Sequence, residues 1–374
     1  MPLSGPMADY GKKLKSYAEY AAEEINTAGG IKSLGGAKIE LDFADTQSKP
    51  DVGQSQAERL ILQDKVVGLI GSYNSGVTLT STAVAEQNKI PYVVFSSVNN
   101  TITTRGFKYT FRPNETSTGI TDTMFAFADG QIAKTGKKVN TYSIIYENTD
   151  FGKPLADEFT AKATTRGWTK LSADSYDSGV ADITPIAIKV KDLKPDLIVT
   201  FSNQPDTNVV YQTLNQQAVK AQVMMDNSGT GQQEFAPLLA ANADLLVETQ
   251  WDASILVSRP WLAAHVDYLK QKSGAAILPE GLQAYSDVYL WADALERAAS
   301  VDGTKLRDAL AATNLTDASK SPALILPYAT IHFGADGQNP DGALLLAQVS
   351  NGKLIPVFPD ALRPSDYTPI WILK

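Results

Sequence analysis

Residues 3–31 read LSGPMADYGKKLKSYAEYAAEEINTAGGI, and this stretch decides the fold more than any other part of the chain. Gly5 and Pro6 indicate a turn near its start. Apolar residues then recur at helical spacing, namely Leu14, Tyr17, Ala18, Ala21 and Ile25. Gly29 and Gly30 end the helix, because glycine adopts the left-handed conformation beyond a helix at little cost. The pattern predicts a turn followed by an amphipathic helix that packs on a core.

Outward from this helix, strand and helix patterns alternate with short connections, which is typical of βαβ units and parallel sheets. The predicted strands are 39–43, 66–70, 92–95, 142–146, 197–201 and 223–225. They form two series, the second of which begins near Gly119, and this predicts two similar lobes. Near the end, Asn351 and Gly352 separate the apolar runs Leu344–Val349 and Leu354–Val357, a strong signal for an antiparallel hairpin.

Composition limits the class of protein. The chain has 374 residues, 43% of them hydrophobic and 20% charged, as in soluble globular proteins of more than one domain. Its 33 basic and 41 acidic residues give a net charge of −8, which argues against a nucleic-acid partner. No apolar run approaches the ~20 residues of a membrane helix. The sequence contains no cysteine, so disulfides and thiolate chemistry are excluded.

Enzyme signatures fail where they are sought. The run from Gly229 to Gly231 would need a further glycine for a dinucleotide fingerprint, but position 234 is glutamate. Ser75 does not lie in the Gly-x-Ser-x-Gly pattern of α/β hydrolases. Of the two histidines, His265 and His332, each is expected to be structural. No histidine pair or acidic loop has metal-ligand spacing, so we expect no catalysis, no metal and no cofactor.

Two polar turns follow predicted parallel strands, Gly71–Gly76 and Ser96–Asn100. Ligands of open α/β sheets bind at the carboxyl ends of such strands. The amide groups at the start of a helix attract anions, and serine and asparagine side chains add hydrogen-bond donors. Together the two turns predict a cradle for a carboxylate. Either turn by itself is explained equally well as ordinary helix capping.

An ordered series of motifs extends through the chain: LSGPMADYG (3–11), AEEINTAGGI (22–31), VVGLIGSYNSG (66–76), IPYVVFSS (90–97), TRGFKYTFRP (104–113), YENTDFG (146–152) and PDLIVTF (195–201). With this series the chain resembles the type I periplasmic solute-binding proteins of ABC transporters, and within them the branched-chain amino-acid (Leu/Ile/Val)-binding group. The resemblance implies an α/β fold with two Rossmann-like lobes, parallel sheets, a hinge crossed three times by the chain, and a ligand cleft between the lobes.

The resemblance also implies the boundaries of the lobes. Crossings match Phe111–Thr116, Thr249–Asp252 and Ala329–Phe333. The N-terminal lobe is then 1–113 plus 252–330, and the C-terminal lobe is 114–251 plus 331–374. In the family a β-strand leads into the LSGP turn, whereas here the turn follows Met1 at once. We therefore expect a truncated start that lacks roughly one strand of 5–6 residues and any export signal.

The resemblance assigns ligand contacts to three sets of positions. On the N-terminal lobe they are Tyr10, Asn74, Ser75, Ser96, Ser97 and Val98; on the C-terminal lobe they are Phe151, Gln204 and Asp226 or Asn227; Tyr285 lines the rim. In amino-acid-binding members, Ser75 and Ser96–Val98 match positions that hold the carboxylate, and an acidic residue near 226–227 holds the ammonium group. Val98 lacks the expected hydroxyl, for which Asn99 could substitute. The acidic position aligns with Asn227 as well as with Asp226.

The expected function is that of a non-catalytic solute-binding component of an ABC importer. It would capture a small organic acid, either an amino acid or an aromatic carboxylate, by lobe closure in the periplasm and deliver it to a membrane permease. Without a carboxylate at 226–227 a buried ammonium would be costly, which would favour an aromatic acid. Two alternatives stay open: a cytoplasmic ligand-sensing regulator on the same fold, and a two-domain enzyme acting in the same cleft.

Overall fold

The structure, a computed structural model, describes residues 1–221, 223–227 and 245–371. The chain divides into two units: unit 1 is Met1–Thr116 with Ala253–Ala343, and unit 2 is Ser117–Asp252 with Leu344–Lys374. The first two boundaries lie at 116 and 252, where the family resemblance implied 113 and 251.

The third boundary lies at 343, and its expected place at 330 is wrong. The segment after 330 belongs to unit 1, because Ile331–His332 forms an antiparallel pair with Asn314–Leu315. The backbone N–H of Asn339 also donates to the carbonyl of Arg112, at 2.9 Å. Both contacts tie the segment to residues of unit 1, the first to β-strand residues 314–315 and the second to Arg112.

Unit 1 contains strands β1 (Leu69–Gly71), β2 (Tyr92–Val94), β3 (Thr110–Phe111), β9 (Asn314–Leu315) and β10 (Ile331–His332). Its helices are α1 (Ala8–Thr27), α2 (Pro50–Leu62), α3 (Ser75–Asn88), α4 (Thr101–Thr104), α9 (Ile255–Ser258), α10 (Ala263–Ser273), α11 (Pro279–Ala298) and α12 (Gly303–Ala311). Short 3₁₀ turns occupy Lys32–Leu34, Pro260–Leu262, Asp317–Ser319 and Pro322–Ile325.

Helix α1 confirms the reading of its sequence. The five apolar residues named for its inner face are all buried, and the backbone at Gly29 and Gly30 has φ of 109° and 70°. The Gly30 N–H donates to the carbonyl of Ile25 at 3.0 Å, which closes the helix. α1 packs on α11, and the ring of Tyr17 lies 2.7 Å from where a Cβ at Gly281 would be. This helix pair therefore requires glycine at 281.

The main sheet of unit 1 is parallel, in the order β1-β2-β3. The strand predicted at residues 39–43 is wrong: this stretch carries no strand assignment and has no ladder neighbour among the described residues. The alternation of apolar residues at 39–43 is that of a strand, but a strand forms only where a second strand supplies hydrogen bonds, and none does so here among the described residues.

Unit 2 contains strands β4 (Thr141–Glu147), β5 (Thr169–Tyr176), β6 (Leu197–Phe201), β7 (Val223–Asn227), β8 (Leu245–Thr249), β11 (Leu345–Ser350) and β12 (Lys353–Phe358). Its described helices are α5 (Ser117–Thr135), α6 (Gly152–Thr165), α7 (Thr184–Leu193) and α8 (Asp206–Gln216), with a 3₁₀ turn at Asp360–Leu362.

These strands form one sheet in the order β12-β11-β8-β7-β6-β4-β5. The strands from β4 to β8 are parallel, and β11 adds antiparallel to β8. The predicted hairpin is confirmed, because β11 and β12 pair around Asn351 and Gly352, whose φ values are 50° and 70°. Two successive left-handed residues are what a two-residue hairpin turn requires.

Candidate functional site

The turn after β1, residues 71–76 and hereafter the β1 turn, leads directly into α3. Asn74 is the N-cap residue of α3 and makes no side-chain capping bond. Ser75, the first helical residue, is 2% exposed, and its Oγ has no hydrogen-bond partner among the described residues. The same holds for Oδ1 of Asn74. The first N–H groups of a helix have no partner within the helix, so donors converge here.

The turn after β2 comprises residues 96–100 and is hereafter the β2 turn. In it, the hydroxyl group of Ser97 is already hydrogen-bonded within the protein. Ser97 Oγ lies 2.7 Å from Thr78 Oγ1 and donates to the carbonyl of Ser72, also at 2.7 Å. Ser72 Oγ in turn lies 3.0 Å from Thr78 Oγ1. Ser97 was expected to hold a ligand carboxylate, but in the structure its hydroxyl ties the β2 turn to the β1 turn.

The neighbours of Ser97 differ in exposure. Ser96 is half-buried and has a φ of 60°, in the left-handed region, and Val98 is 4% exposed. Asn99, considered as a substitute for the missing hydroxyl at 98, accepts the Thr101 N–H through Oδ1 at 2.8 Å. That oxygen is therefore engaged at the start of α4.

A buried arginine that the sequence reading did not single out supports the β2 turn. Arg112, 0% exposed, donates through Nη1 to the carbonyls of Asn99 at 2.8 Å and Ser97 at 3.3 Å. Its Nη2 donates to Thr103 Oγ1 at 3.1 Å, and its Nε to Gln338 Oε1 at 2.5 Å. Burial lowers the pKa of this guanidinium to about 9. The only hint of this role in the sequence was the position of a charged residue, Arg112, directly after the strand residues Thr110 and Phe111.

Tyr10 joins the β1 turn through an aromatic contact. Its ring meets that of Tyr73 edge to face, with centroids 5.5 Å apart and planes at 72°. Tyr10 is half-buried, in the first turn of α1. Because Tyr73 directly precedes Asn74 and Ser75, this contact places Tyr10 beside the β1 turn. Three of the predicted ligand positions, Tyr10, Asn74 and Ser75, therefore belong to one region of unit 1.

Tyr285 is not brought to this group. Its side chain is 0% exposed, and its hydroxyl bonds Glu24 and lies 2.9 Å from His265 Nδ1, so it belongs to the packing of α1, α10 and α11. Burial by itself would raise the pKa of Glu24, but hydrogen bonds from His265 and Tyr285 bring it below its ordinary value. This placement does not support a rim position for Tyr285, and it agrees with a structural role for His265.

Unit 2 presents a corresponding group where β6 ends. Gln204 is 4% exposed, and its Nε2 has no hydrogen-bond partner in the part of the chain that the structure describes. Ser202 is 1% exposed, and its Oγ likewise has no hydrogen-bond partner among the described residues. Between them, Asn203 is fixed by Glu147, whose Oε2 accepts its N–H at 3.1 Å and its Nδ2 at 2.9 Å. Burial raises the pKa of Glu147.

The remaining predicted positions of unit 2 follow two other strands. Phe151, after β4, is the half-buried N-cap residue of α6. Asp226 and Asn227 end β7, in register with Thr200 and Phe201 of β6. Their side chains lie outside the described part of the structure, so the choice between them stays open.

Each unit thus offers neutral, buried hydrogen-bonding groups at the carboxyl ends of parallel strands. Such groups suit a small polar or anionic ligand. Within the described residues we find neither a cluster of metal-binding side chains nor a helix long and apolar enough to cross a membrane.

Comparison with known proteins identifies the family. A model of the periplasmic binding protein family matches residues 1–353. A Leu/Ile/Val-binding protein homolog from Brucella suis is 26% identical over 98% of this chain and 91% of its own length. These matches confirm the resemblance inferred from the ordered motifs.

Solved structures confirm the fold. A leucine-binding protein from Thermotoga maritima superposes with a TM-score of 0.78 at 22% identity, covering 96% of this chain and 97% of its own. A solute-binding protein from R. palustris, solved with benzoate, gives a TM-score of 0.78 at 17% identity over 95% and 93% of the two chains. Because the family model spans almost the whole sequence, this protein belongs to the periplasmic binding protein family.

Proposed function

We propose that this protein is the non-catalytic solute-binding component of an ABC importer. It captures a small organic acid, an amino acid or an aromatic carboxylate, in the periplasm and delivers it to a membrane permease. The proposal rests on the family, on the relatives' ligands and on the polar groups at the strand ends.

The observation that carries the proposal is the side chain of Ser75. A buried hydroxyl without a partner costs free energy, because it gives up hydrogen bonds to water and gains none. Ser75 occupies this position at the start of a 14-residue helix, where N–H groups also await an acceptor. A ligand carboxylate satisfies both needs at once, since it is an acceptor with two oxygens.

Gln204 supplies the matching observation in unit 2, because its buried Nε2 is a donor with no partner among the described residues. We propose that the ligand uses groups of both units and that the units close on it. Binding favours a closed state only if the ligand gains contacts there that it lacks in the open state. The polar groups of Ser75 in unit 1 and Gln204 in unit 2, which have no partner among the described residues, would provide these additional contacts.

Two ligand classes are compatible with these groups. The solved relatives include a leucine-binding protein and one that binds benzoate. An α-ammonium group requires a carboxylate partner when buried, and Asp226 is the candidate. An aromatic acid requires ring contacts instead, for which Tyr10, Tyr73 and Phe151 are candidates.

A thermal-shift panel of leucine, isoleucine, benzoate, an aliphatic amide and urea tests the proposal. At one hundred times its dissociation constant, a ligand adds about 2.7 kcal/mol, which raises Tm by roughly 3–4 °C in a chain of 374 residues. If amino acids stabilise the protein and Asp226→Asn abolishes the effect, the ammonium role is supported. If only benzoate stabilises it, the amino-acid class is excluded. No shift with any acid would contradict the binding role.

Two further measurements test the remaining parts of the proposal. The ligand should be recovered chemically unchanged after prolonged incubation with the protein, as judged by mass spectrometry, whereas conversion would indicate an enzyme. Cells that express the cognate transporter should take up labelled ligand only when this protein is present. Uptake that persists without it would contradict delivery to the permease.

A further inference from the structure

The turns that follow β4, β5 and β6 in unit 2 meet at one buried acidic residue, Glu147. Glu147 is the last residue of β4 and is 1% exposed. It lies opposite Tyr176, the last residue of β5, in the parallel ladder. Because β6 is the other neighbour of β4, the carboxyl ends of all three strands lie side by side at one edge of the sheet.

The side chain of Glu147 fixes the turn after β6, residues 202–205. Its Oε2 accepts both the backbone N–H and the Nδ2 of Asn203. The carbonyl of Asn203 in turn accepts the Thr207 N–H at 3.1 Å and the Thr207 hydroxyl at 3.3 Å, so α8 holds the same residue from its other side. Asn203 is therefore held at its N–H, its side chain and its carbonyl. Ser202 and Gln204, which flank it, carry the candidate ligand groups of this turn.

The main chain of Glu147 fixes the turn that carries Phe151. The Glu147 carbonyl accepts the Thr149 N–H at 2.9 Å. A Cβ on Gly152 would lie only 2.2 Å from the same carbonyl oxygen, so glycine at 152 lets the first turn of α6 pack directly against the end of β4. Phe151, the N-cap residue of α6, is placed by this close approach.

The turn after β5, which includes residues 177–180, is held by Glu147 and by a second buried carboxylate, Asp206. Burial raises the pKa of Glu147, and hydrogen bonds from Ser178 and Asn203 oppose the shift. Asp206, the first residue of α8, is 3% exposed, and its Oδ2 accepts the Gly179 N–H at 2.8 Å. The side chain of Glu147 thus contacts the turns after β5 and β6, and its main chain holds the turn after β4.

We propose that Glu147 is the positioning residue for ligand binding by unit 2. It does not contact the ligand itself, but it sets the affinity by holding Gln204 and Ser202 through Asn203 and by placing Phe151 through its main chain. The inference rests on the proposed function, because these residues are ligand groups only if unit 2 binds a solute. Binding costs the free energy of ordering any group that is mobile before the ligand arrives, so groups that are already fixed raise the affinity.

Two substitutions of Glu147 separate positioning from charge. Methionine has a similar length but offers only a weak acceptor, so both donors of Asn203 would be left buried without a partner and the turn would rearrange. Glutamine keeps an amide oxygen that can accept both donors, and its NH₂ group can donate to the Ser178 hydroxyl. Positioning therefore requires the acceptor oxygen and not the negative charge, and Glu147→Gln should rescue what Glu147→Met loses.

Isothermal titration of leucine and of benzoate into four forms of the full chain tests the proposal: the unaltered protein, Glu147→Gln, Glu147→Met and the control Asp196→Leu. The control is matched because Asp196 Oδ2 also accepts two donors, the N–H groups of Asn140 and Thr141 at 2.9 and 3.0 Å, but at the amino ends of β4 and β6. The acid that binds the unaltered protein should bind Glu147→Met about tenfold or more weakly and Glu147→Gln within about threefold. Asp196→Leu should lower stability and leave the affinity unchanged.

Binding by Glu147→Met with the affinity of the unaltered protein, or an equal loss in the glutamine and methionine variants, would overturn the proposal. If Glu147→Met does not fold, Asn203→Ala takes its place, because it removes only the Nδ2 donor and keeps the backbone bond to Glu147. It should weaken binding about threefold or more, and unchanged binding would overturn the proposal.

Hydrogen exchange separates failure of this inference from failure of the proposed function. If neither acid binds the unaltered protein, the binding function fails for these acids, and the fixing of the turn is decided without a solute. The amides of Asn203 and Thr207 should then exchange faster in Glu147→Met, or in Asn203→Ala, than in Glu147→Gln. Equal exchange rates in these variants would overturn the role of Glu147.

Discussion

The β1 turn and the β2 turn of unit 1 have similar composition but different chemistry. In the β2 turn, Ser97 bonds to Thr78 and to Ser72. Arg112 donates hydrogen bonds to the carbonyls of Ser97 and Asn99. In the β1 turn, the Ser75 hydroxyl is buried and has no partner among the described residues. The difference teaches that turns of similar composition can be used differently: the protein itself satisfies the hydroxyl of one turn, and we propose that a ligand satisfies the hydroxyl of the other.

The largest effect is expected from Arg112→Met, which removes the support of the β2 turn. The carbonyls of Ser97 and Asn99 lose a charged donor inside the protein, so the free energy of unfolding should fall by about 3–5 kcal/mol. Urea denaturation measures it. Arg105→Met is the matched control, because Arg105 also donates to a carbonyl, that of Leu79, but is only half-buried. Equal decreases in the free energy of unfolding in the two variants would contradict the proposed support of the β2 turn by Arg112.

A second expectation concerns the two serines directly. Ser97→Ala breaks the tie between the turns and should cost about 1–3 kcal/mol of stability, because buried partners are left unsatisfied. Ser75→Ala removes a buried hydroxyl without a partner among the described residues and should therefore raise stability, by up to about 1 kcal/mol. Comparable losses in the two variants, measured by thermal and urea unfolding, would show that the turns do not differ.

A third expectation tests whether every buried group without a partner marks a binding site. Asp287, in α11, is 1% exposed, and its Oδ2 has no partner among the residues described. Burial raises its pKa well above the ordinary value, so the folded state retains a proton that the unfolded state releases. Stability should therefore fall as pH rises above roughly 4, the ordinary pKa of an aspartic acid.

Asp287→Asn should remove this pH dependence and raise stability at pH 7 by about 1 kcal/mol, the scale of one buried polar group. Ligand binding should be unchanged, because the group lies in a helix and not at a strand end. A variant that lost binding, or one whose stability still fell with pH to the same degree, would contradict this distinction.

Local chemistry explains what the sequence could predict. The hairpin at Asn351 and Gly352 and the end of α1 at Gly29 depend on residues that favour positive φ within a few positions of one another. The alternation of strands and helices was equally local. The same reasoning placed Asn74 and Ser75 in a turn after a strand, where the structure has them, whereas Tyr10 was assigned by the family resemblance.

Long-range partners explain what it could not predict. Arg112 depends on Gln338, which is 226 positions away, and no local pattern announces that pair. The third boundary between the units was wrong because Ile331 pairs with Leu315. Tyr285 fits a helical stripe, but its hydroxyl is engaged by Glu24 and His265 of two other helices.

Isothermal titration of the preferred organic acid into Ser75→Ala tests the central claim most directly. Ser81→Ala is the matched control, since Ser81 lies in the same helix but bonds Val77 and Tyr92 at 2.8 and 2.9 Å. Ser75→Ala should weaken binding about tenfold or more, at about 1.4 kcal/mol per tenfold, without lowering the stability of the protein. Ser81→Ala should lower stability and leave binding unchanged. Binding by Ser75→Ala with the affinity of the unaltered protein would contradict the assignment of the β1 turn to the ligand.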